Sequence, residues 1–516
     1  MQKELEFLSV PQLLEKVFLN NPDKEAIYDR TRRMNYRELW QESDQLAAAL
    51  SAWGIQKGDR VGVCLPNWHE TVVLYFALGK IGAILVPFNP KYRIHEVQHI
   101  IQNSGVNSLF ISGEFDQQML DVIAPMVQNI ATVRFKREEF IAYTELLARG
   151  EAELLPLVDI EPSEDVYCIL YTSGTTGSPK GAMLTHRALT LSGIGVSGSI
   201  KGHSDDVYLV PAPLFHIFGM GPNLMGAVST QARMVLMDKY RPQEALELIQ
   251  QEKVTVYHAV PAMYIMELNH PDFACYDLST LRAGMTGGAP CPAETIRAVR
   301  ERMKMEISVS YGLSEAGSVT MTEYGDEFSN ILETIGKALP GVELQIVDDA
   351  RVPLPLGQVG EIACRGFAVM KGYYQAPEQT KQVLDQEGWF YTGDLGSMDA
   401  KGYIRFIGRK KELIIRGGYN IYPREIEEIL YQNDKIMEAA VIGLPDPVMG
   451  ESVCAVIRLK DDADSSSDEL KDYIKQYVAD YKLPNQFIFV KEFPVTASGK
   501  IQKLKIREQL IEQMSV

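Results

Sequence analysis

The chain has 516 residues, 46% apolar and 23% charged, with 51 basic against 68 acidic side chains and a formal net charge of -17. That length exceeds what one hydrophobic core usually serves, so two or more domains are expected. The acidic balance argues against broad nucleic-acid binding and against docking on anionic lipid, while local basic clusters can still hold a small polyanion. The six cysteines, at positions 64, 168, 275, 291, 364 and 454, show neither a CxxC pair nor zinc spacing. They read as reduced and mostly buried, which fits a cytoplasmic protein.

The first segment, MQKELEFLSVPQLLEKVFLNN, is amphipathic and charged throughout and lacks the apolar core of a signal peptide. Asn35 is placed to cap a helix with apolar residues at Leu39, Leu46, Ala47 and Leu50 that ends at Gly54. DRVGVCLP then reads as a strand, the run from Trp68 as a helix, AILVPF as a strand, the stretch from Ile94 to Asn103 as a helix and NSLFIS as a strand. The most apolar window, VVLYFALGKIGAILVPF, holds Lys80 and two glycines and ends at proline, so it predicts a buried helix turning into a strand and not a membrane span.

Next comes YTSGTTGSPKG, Tyr171 to Gly181, in which glycines, hydroxyls and a lysine follow the apolar run VYCIL. Glycines let backbone N–H groups turn toward an anion, and hydroxyls and an ammonium add donors, so the loop reads as a phosphate cradle. It is not a Walker loop: counted from Gly174, Pro179 stands where the second glycine belongs and Gly181 where the hydroxyl belongs. GAMLTH then predicts a short strand in place of the helix whose N-terminus a Walker loop uses. A solvated hairpin turn is the plainer alternative.

A second alternating round follows, with DDVYLVPAP, a helix from about Pro242 to Glu252, VTVYHAV and TLRAGMTGGAP. The two rounds predict an α/β domain with largely parallel sheet. SYGLSEAG puts Glu315 just beyond a Gly-containing turn after the strand MEISV, where a carboxylate can hold a magnesium ion or simply begin a helix. From VELQIVDD to GYIRFIGR the texture changes to short strands and Gly-rich turns, and WFYTGDLG offers Asp394 in a turn, either as an acceptor for ribose hydroxyls or as an ordinary Asp before a strand. A compact α/β pattern closes the chain: a helix from Pro423, strands EAAVIGLP and SVCAVIRL, a polar turn, a helix to about Tyr481, strand QFIFV and a terminal helix. A boundary near Gly408 divides residues 1–408 from 409–516. The last 108 residues hold 16 basic and 18 acidic side chains, so most of the negative charge belongs to the first domain.

YTSGTTGSPKG, PLFHIFGM, GGAP, SYGLSEAG, YTGD, GRKKELI, GGYNIYPREIE and ASGK are individually weak, but their order and spacing are specific. From about residue 10 to 510 the chain resembles the adenylate-forming acyl-CoA synthetase superfamily, with bacterial fatty-acid CoA ligases closest in texture. The resemblance implies an α/β fold: a large N-terminal AMP- and acyl-binding domain of mixed α/β sheets with a short-stranded β subdomain, and a small mobile C-terminal α/β catalytic domain. It implies two reactions at one site. A carboxylate attacks the α-phosphate of ATP to give acyl-AMP and pyrophosphate; the thiol of coenzyme A then displaces AMP.

By the same resemblance Thr172, Ser173, Gly174, Thr175, Thr176 and Lys180 would hold the β- and γ-phosphates, and Glu315 would ligate Mg²⁺ with Ser314 near the α-phosphate. Serine stands at 314 where the family usually has threonine. Gly288, Ala289, Ser310, Tyr311 and Gly312 would wall the adenine, Asp394 and Arg409 would hold the ribose, and Lys500 would bridge substrate carboxylate and ATP. His216 would sit beside the carboxylate pocket, the alternative being a satisfied core histidine. Phe218, Met220, Gly221, Met285 and Thr286 would line the acyl pocket. Phe218 stands where hydroxycinnamate-using members often carry tyrosine, which favours an aliphatic or unsubstituted tail. Lys239, Gly417 and Gly418 would meet coenzyme A, and Lys411 would be the hinge. The expected partners are a carboxylic acid, ATP and coenzyme A, without nucleic acid or a membrane span, in a monomer or homodimer. The competing reading is a stand-alone adenylation enzyme that loads an aryl or other acid onto coenzyme A or a carrier-protein thiol.

Overall fold

The computed structural model describes residues 8–172, 179–460, 463–496 and 500–514. Two large sheets account for the expected α/β alternation. In one, the strands Arg60–Cys64, Ile84–Pro87, Ser108–Ile111, Asn129–Thr132 and Ile141–Ala142 run parallel, and Val166–Thr172 joins the parallel set before Lys180–Thr185 returns antiparallel to it. In the other, Glu25–Tyr28, Arg233–Leu236, Val207–Val210, Val256–Ala259, Ala283–Gly287 and Glu306–Leu313 are successively parallel, with Gly317–Met321 turning back along the last.

Local signals explain the helices between them. Asn35 caps Tyr36–Ala52 and forms a reciprocal capping box with Glu38, which satisfies two backbone donors that a helix start leaves open. The helix His69–Lys80 is buried on every face, as its uninterrupted apolarity requires. Its one lysine is accommodated by Asp44 at 2.6 Å and by the Trp40 ring beneath the ammonium. Among the described residues no helix is long and apolar enough to cross a membrane. All six cysteines are free, and only Cys275 is exposed.

The short-stranded region is a four-stranded antiparallel sheet, Val342–Val347, Gly360–Gly366, Phe390–Met398 and Ile404–Arg409. Beyond it a separate sheet holds Ile414–Arg416, Tyr419–Ile421, Ile436–Asp446, Gly450–Leu459 and Gln486–Phe489 around its own apolar core. One element differs from expectation. The helix expected to reach Tyr481 stops at Lys475 and is followed by the single turn Asp480–Lys482, because Ala479 adopts an extended conformation there. That break lets Lys482 turn back to pair with Glu425 at 2.6 Å.

Candidate active site

The sheet edges converge on a space that the small domain closes. Ala283–Gly287 and Glu306–Leu313 pair in parallel, with Gly287 opposite Ser310, so the GGAP and SYGLSEAG turns leave the sheet side by side. After PLFHIF the chain makes the wide helical turn Gly219–Met225, a form found disproportionately at functional sites. Two adjoining cavities result. One is lined by Ala212, Pro213, His216, Phe218, Val260, Met263, Gly288 and Lys500. The other, wider one shares His216, Phe218, Gly288 and Lys500 and adds Met285, Ser310, Gly312, Ser314 and Gly317.

Lys500 belongs to both linings although it comes from the far end of the small domain. Its backbone N–H donates to Thr496 Oγ1, and Thr496 N–H donates back to the Lys500 carbonyl, which shapes the turn that projects it. Three residues on, Lys503 is ion-paired with Glu412 at 3.2 Å and Glu427 at 2.7 Å, fixing this stretch against the 409–412 connection. The Lys500 side chain lies against Gly288, where a Cβ would stand 3.4 Å from Cε and where φ is +79°, so the position favours glycine on both counts. Burial pushes the ammonium down to about 8; the nearby Arg409 adds to the shift, while Asp394 and Glu315 oppose it.

His216 faces the same cavities. Its Nδ1 accepts the Phe218 N–H at 3.3 Å, which leaves Nε2 to carry the proton of the neutral ring. Burial, with Lys500 beside it, pushes its pKa down to about 3, so the imidazole is neutral at ordinary pH and can donate to a carboxylate. Phe218 is buried and lines both cavities, and Met285 lines the wider one. Met220 and Thr286 are fully buried, and neither they nor Gly221 line either cavity.

The nucleotide residues form two groups. Because Phe390–Met398 and Ile404–Arg409 pair antiparallel with Asp394 opposite Arg409, register alone brings that ion pair together, Oδ1 to Nε at 3.6 Å. Tyr311 donates its hydroxyl to the other oxygen of Asp394 at 2.7 Å, and its ring lies 6.0 Å from Phe406. Burial raises the Asp394 pKa against the pull of Arg409. Ser310 donates its hydroxyl proton to the Thr320 carbonyl, so toward a base that hydroxyl can only accept. Gly312 and Ser314 line the wider cavity; Ala289 is partly buried just past Gly288 and does not.

The second group surrounds Glu315. Thr172 lies 3.5 Å from its Oε1, and Lys180 begins the next strand. Ser173, Gly174, Thr175 and Thr176 lie outside the described residues. Sequence reasoning missed Tyr373, whose hydroxyl donates to Glu315 at 2.9 Å and whose ring lies under the Lys180 ammonium, 5.3 Å from the centroid. Only a strand pairing between distant segments, Ala182 with Tyr373, puts it there. Glu315 with the Thr172 hydroxyl offers hard oxygen donors of the kind magnesium takes.

The remaining expected residues lie apart. Lys239 is exposed, Lys411 lies in the single turn Lys410–Glu412, and Gly417 and Gly418 form the tip of the hairpin Ile414–Ile421 with φ of +57° and +83°. None of the four lines the cavities. The glycine pair has a local reason, since a two-residue hairpin turn with both φ positive strongly prefers glycine or asparagine.

The site is thus a cavity at the strand ends of the large sheets into which Lys500 is inserted from the end of the chain. Comparison with known proteins supplies the class. The AMP-binding enzyme family model matches residues 14–374 and the AMP-binding enzyme C-terminal domain model residues 425–500. YngI of Bacillus subtilis (strain 168) is 39% identical over 543 residues, covering 99% of each chain. The mitochondrial medium-chain acyl-CoA ligase ACSF2 of Homo sapiens is 32% identical over 550 residues, covering 100% of this chain and 89% of that one. Among solved structures, the anthranilate CoA ligase AuaEII in complex with anthranoyl-AMP superposes with a TM-score of 0.92 at 27% identity over 99% of each chain. The chain therefore belongs to the AMP-binding enzyme family, within the adenylate-forming acyl-CoA synthetase superfamily. It is an AMP-forming acid–CoA ligase, with ATP and coenzyme A as co-substrates.

Proposed function

We propose that the chain activates medium- to long-chain aliphatic carboxylic acids and transfers them to coenzyme A. The observation that carries this reading is Phe218, which lines both cavities together with Lys500 and His216 and offers a tail no hydrogen-bond partner. Val260, Met263 and Met285 are also apolar, and methionines suit a pocket that accepts a range of tails. ACSF2, named as a medium-chain ligase, supports the same substrate class.

In the first reaction a carboxylate oxygen attacks the α-phosphate and pyrophosphate leaves. Lys500 lies between the two anions and screens their repulsion, while the neutral His216 donates Nε2–H to the carboxylate and holds it for in-line attack. Lys180, Thr172 and the loop between them hold the departing phosphates. Glu315 and Thr172 would hold Mg²⁺, which when bound neutralises phosphate charge. Asp394 accepts from the ribose hydroxyls and Arg409 orients Asp394.

For the second reaction the thiol adds to the carbonyl of the mixed anhydride and AMP leaves with its phosphate oxygen. Lys500 fills the space the thiol must enter, so residues 409–516 rotate about Lys411 and bring Gly418 toward the site. Lys239 would then meet a phosphate of coenzyme A.

The test is pyrophosphate release over acids from acetate to stearate together with benzoate, anthranilate and coumarate, with and without coenzyme A. The highest kcat/KM is expected for a medium or long aliphatic acid, with a dependence on coenzyme A for sustained turnover. A hydroxylated aromatic acid on top would refute the substrate class, because burying its hydroxyl unpaired against Phe218 costs about 1–3 kcal/mol.

A further inference from the structure

Tyr373 lies in KGYYQAP, outside every motif that carried the family resemblance. Its backbone is docked along Lys180–Thr185: Met183 N–H donates to the Gly372 carbonyl at 3.0 Å, Lys371 N–H to the Met183 carbonyl at 2.9 Å and Tyr374 N–H to the Gly181 carbonyl at 2.8 Å. Tyr373 N–H itself donates to Thr380 Oγ1 at 2.9 Å. The side chain is thus fixed to the strand that leaves the phosphate loop, and it projects to Glu315, which follows a strand of the other large sheet.

A tyrosine can serve two opposite charges at once, its O–H donating to a carboxylate while its ring face receives a cation. Tyr373 does both, with Glu315 Oε1 at its hydroxyl and Lys180 over its ring. Among the described residues neither Glu315 nor Lys180 has an ion-pair partner, although their charges are opposite and both belong to the same site. A carboxylate and an ammonium that neutralised each other would be weaker toward a metal ion and a phosphate.

We propose that Tyr373 is a positioning residue that keeps Glu315 and Lys180 apart and aimed, so that the carboxylate meets the metal ion and the ammonium meets the terminal phosphates of ATP. This rests on the reading of Glu315 and Lys180 given above. Tyr373→Phe removes the hydroxyl and keeps the ring under Lys180; Tyr373→Leu removes both.

The experiment is calorimetric binding of a non-hydrolysable ATP analogue at stepped Mg²⁺ concentrations, with melting curves for each variant. Tyr373→Phe should raise the Mg²⁺ concentration for half-maximal binding by about tenfold, the scale of one lost hydrogen bond to a charged group. Its conversion of supplied acyl-AMP and coenzyme A to thioester should stay within about twofold of the unaltered chain, since the phosphates have left by then. Tyr373→Leu should in addition weaken analogue binding at saturating Mg²⁺, and Tyr373→Phe added to Glu315→Gln should make Mg²⁺ dependence no worse than Glu315→Gln alone. A folded Tyr373→Phe variant with unaltered Mg²⁺ dependence, or a double variant worse than Glu315→Gln alone, overturns the proposal. If Glu315→Gln itself leaves Mg²⁺ dependence unchanged, the reading of Glu315 fails, and the proposal with it.

Discussion

Lys500→Ala should separate the two reactions. The Lys500 ammonium, which ordinarily ionises at 10.5, is pushed down to about 8 chiefly by burial. That displacement corresponds to about 3 kcal/mol of lost preference for the charged form. A phosphate and a carboxylate brought beside it favour the charged form again, and that charge acts where negative charge gathers in the adenylation transition state. Removing the cation should therefore slow adenylation on the order of 10²–10³-fold. If residues 409–516 rotate as proposed, Lys500 is withdrawn during thioester formation, which should then change only a few-fold. Pyrophosphate release from acid and ATP measures the first half, and AMP release from synthetic acyl-AMP with coenzyme A measures the second. Equal loss in both halves, in a variant with an unaltered melting profile, would refute the reasoning. Stability gives an independent check. The folded pKa is below the unfolded one, so the burial penalty is full below pH of about 8, and the unaltered chain should gain stability relative to Lys500→Ala as pH rises from about 8 toward 10.5.

Three further outcomes follow from the site. The kcat/KM for adenylation should fall above pH of about 8 as Lys500 loses its proton, whereas His216, held near 3, should add no limb between about 5 and 8; a limb that disappears in His216→Asn would contradict this. Gly417→Ala and Gly418→Ala should each destabilise the small domain by about 1 kcal/mol in urea unfolding, because φ is +57° and +83°. If Gly418 also faces the thiol channel, its variant slows thioester formation beyond that loss while adenylation is spared, since in the present arrangement its Cβ would touch nothing within 4 Å. Lys411→Pro should spare acyl-AMP formation and slow thioester formation, because a fixed φ hinders rotation; single-turnover assays of each half would show the opposite pattern if residues 409–516 do not move.

Much of the fold was legible in local signals. The Asn35 cap, the strand after Lys180 that disqualified a Walker loop, the helix Pro242–Glu252 and the element order of the small domain all depend on neighbours in sequence. Where register delivers a residue the structure brings together what the resemblance grouped, as with Asp394 opposite Arg409. The site was illegible where the decisive partner is remote. Tyr373 has no distinctive neighbours, and its importance depends on docking against Lys180–Thr185 from nearly two hundred residues away. Ser310 shows the converse, since a hydroxyl beside the adenine wall in sequence is engaged by the Thr320 carbonyl once Gly317–Met321 folds back. The early end of the helix at Lys475 was likewise not legible, and its consequence is a long-range one, the pairing of Lys482 with Glu425.

The route through an acyl-adenylate can be read from one product. Turnover of a medium-chain acid labelled with heavy oxygen in its carboxylate, with ATP and coenzyme A, should place one labelled oxygen in AMP and none in pyrophosphate. That outcome follows because the attacking carboxylate oxygen stays on the α-phosphate when the thiol takes the acyl group. Label in pyrophosphate, or unlabelled AMP alongside acyl-CoA, would contradict the account.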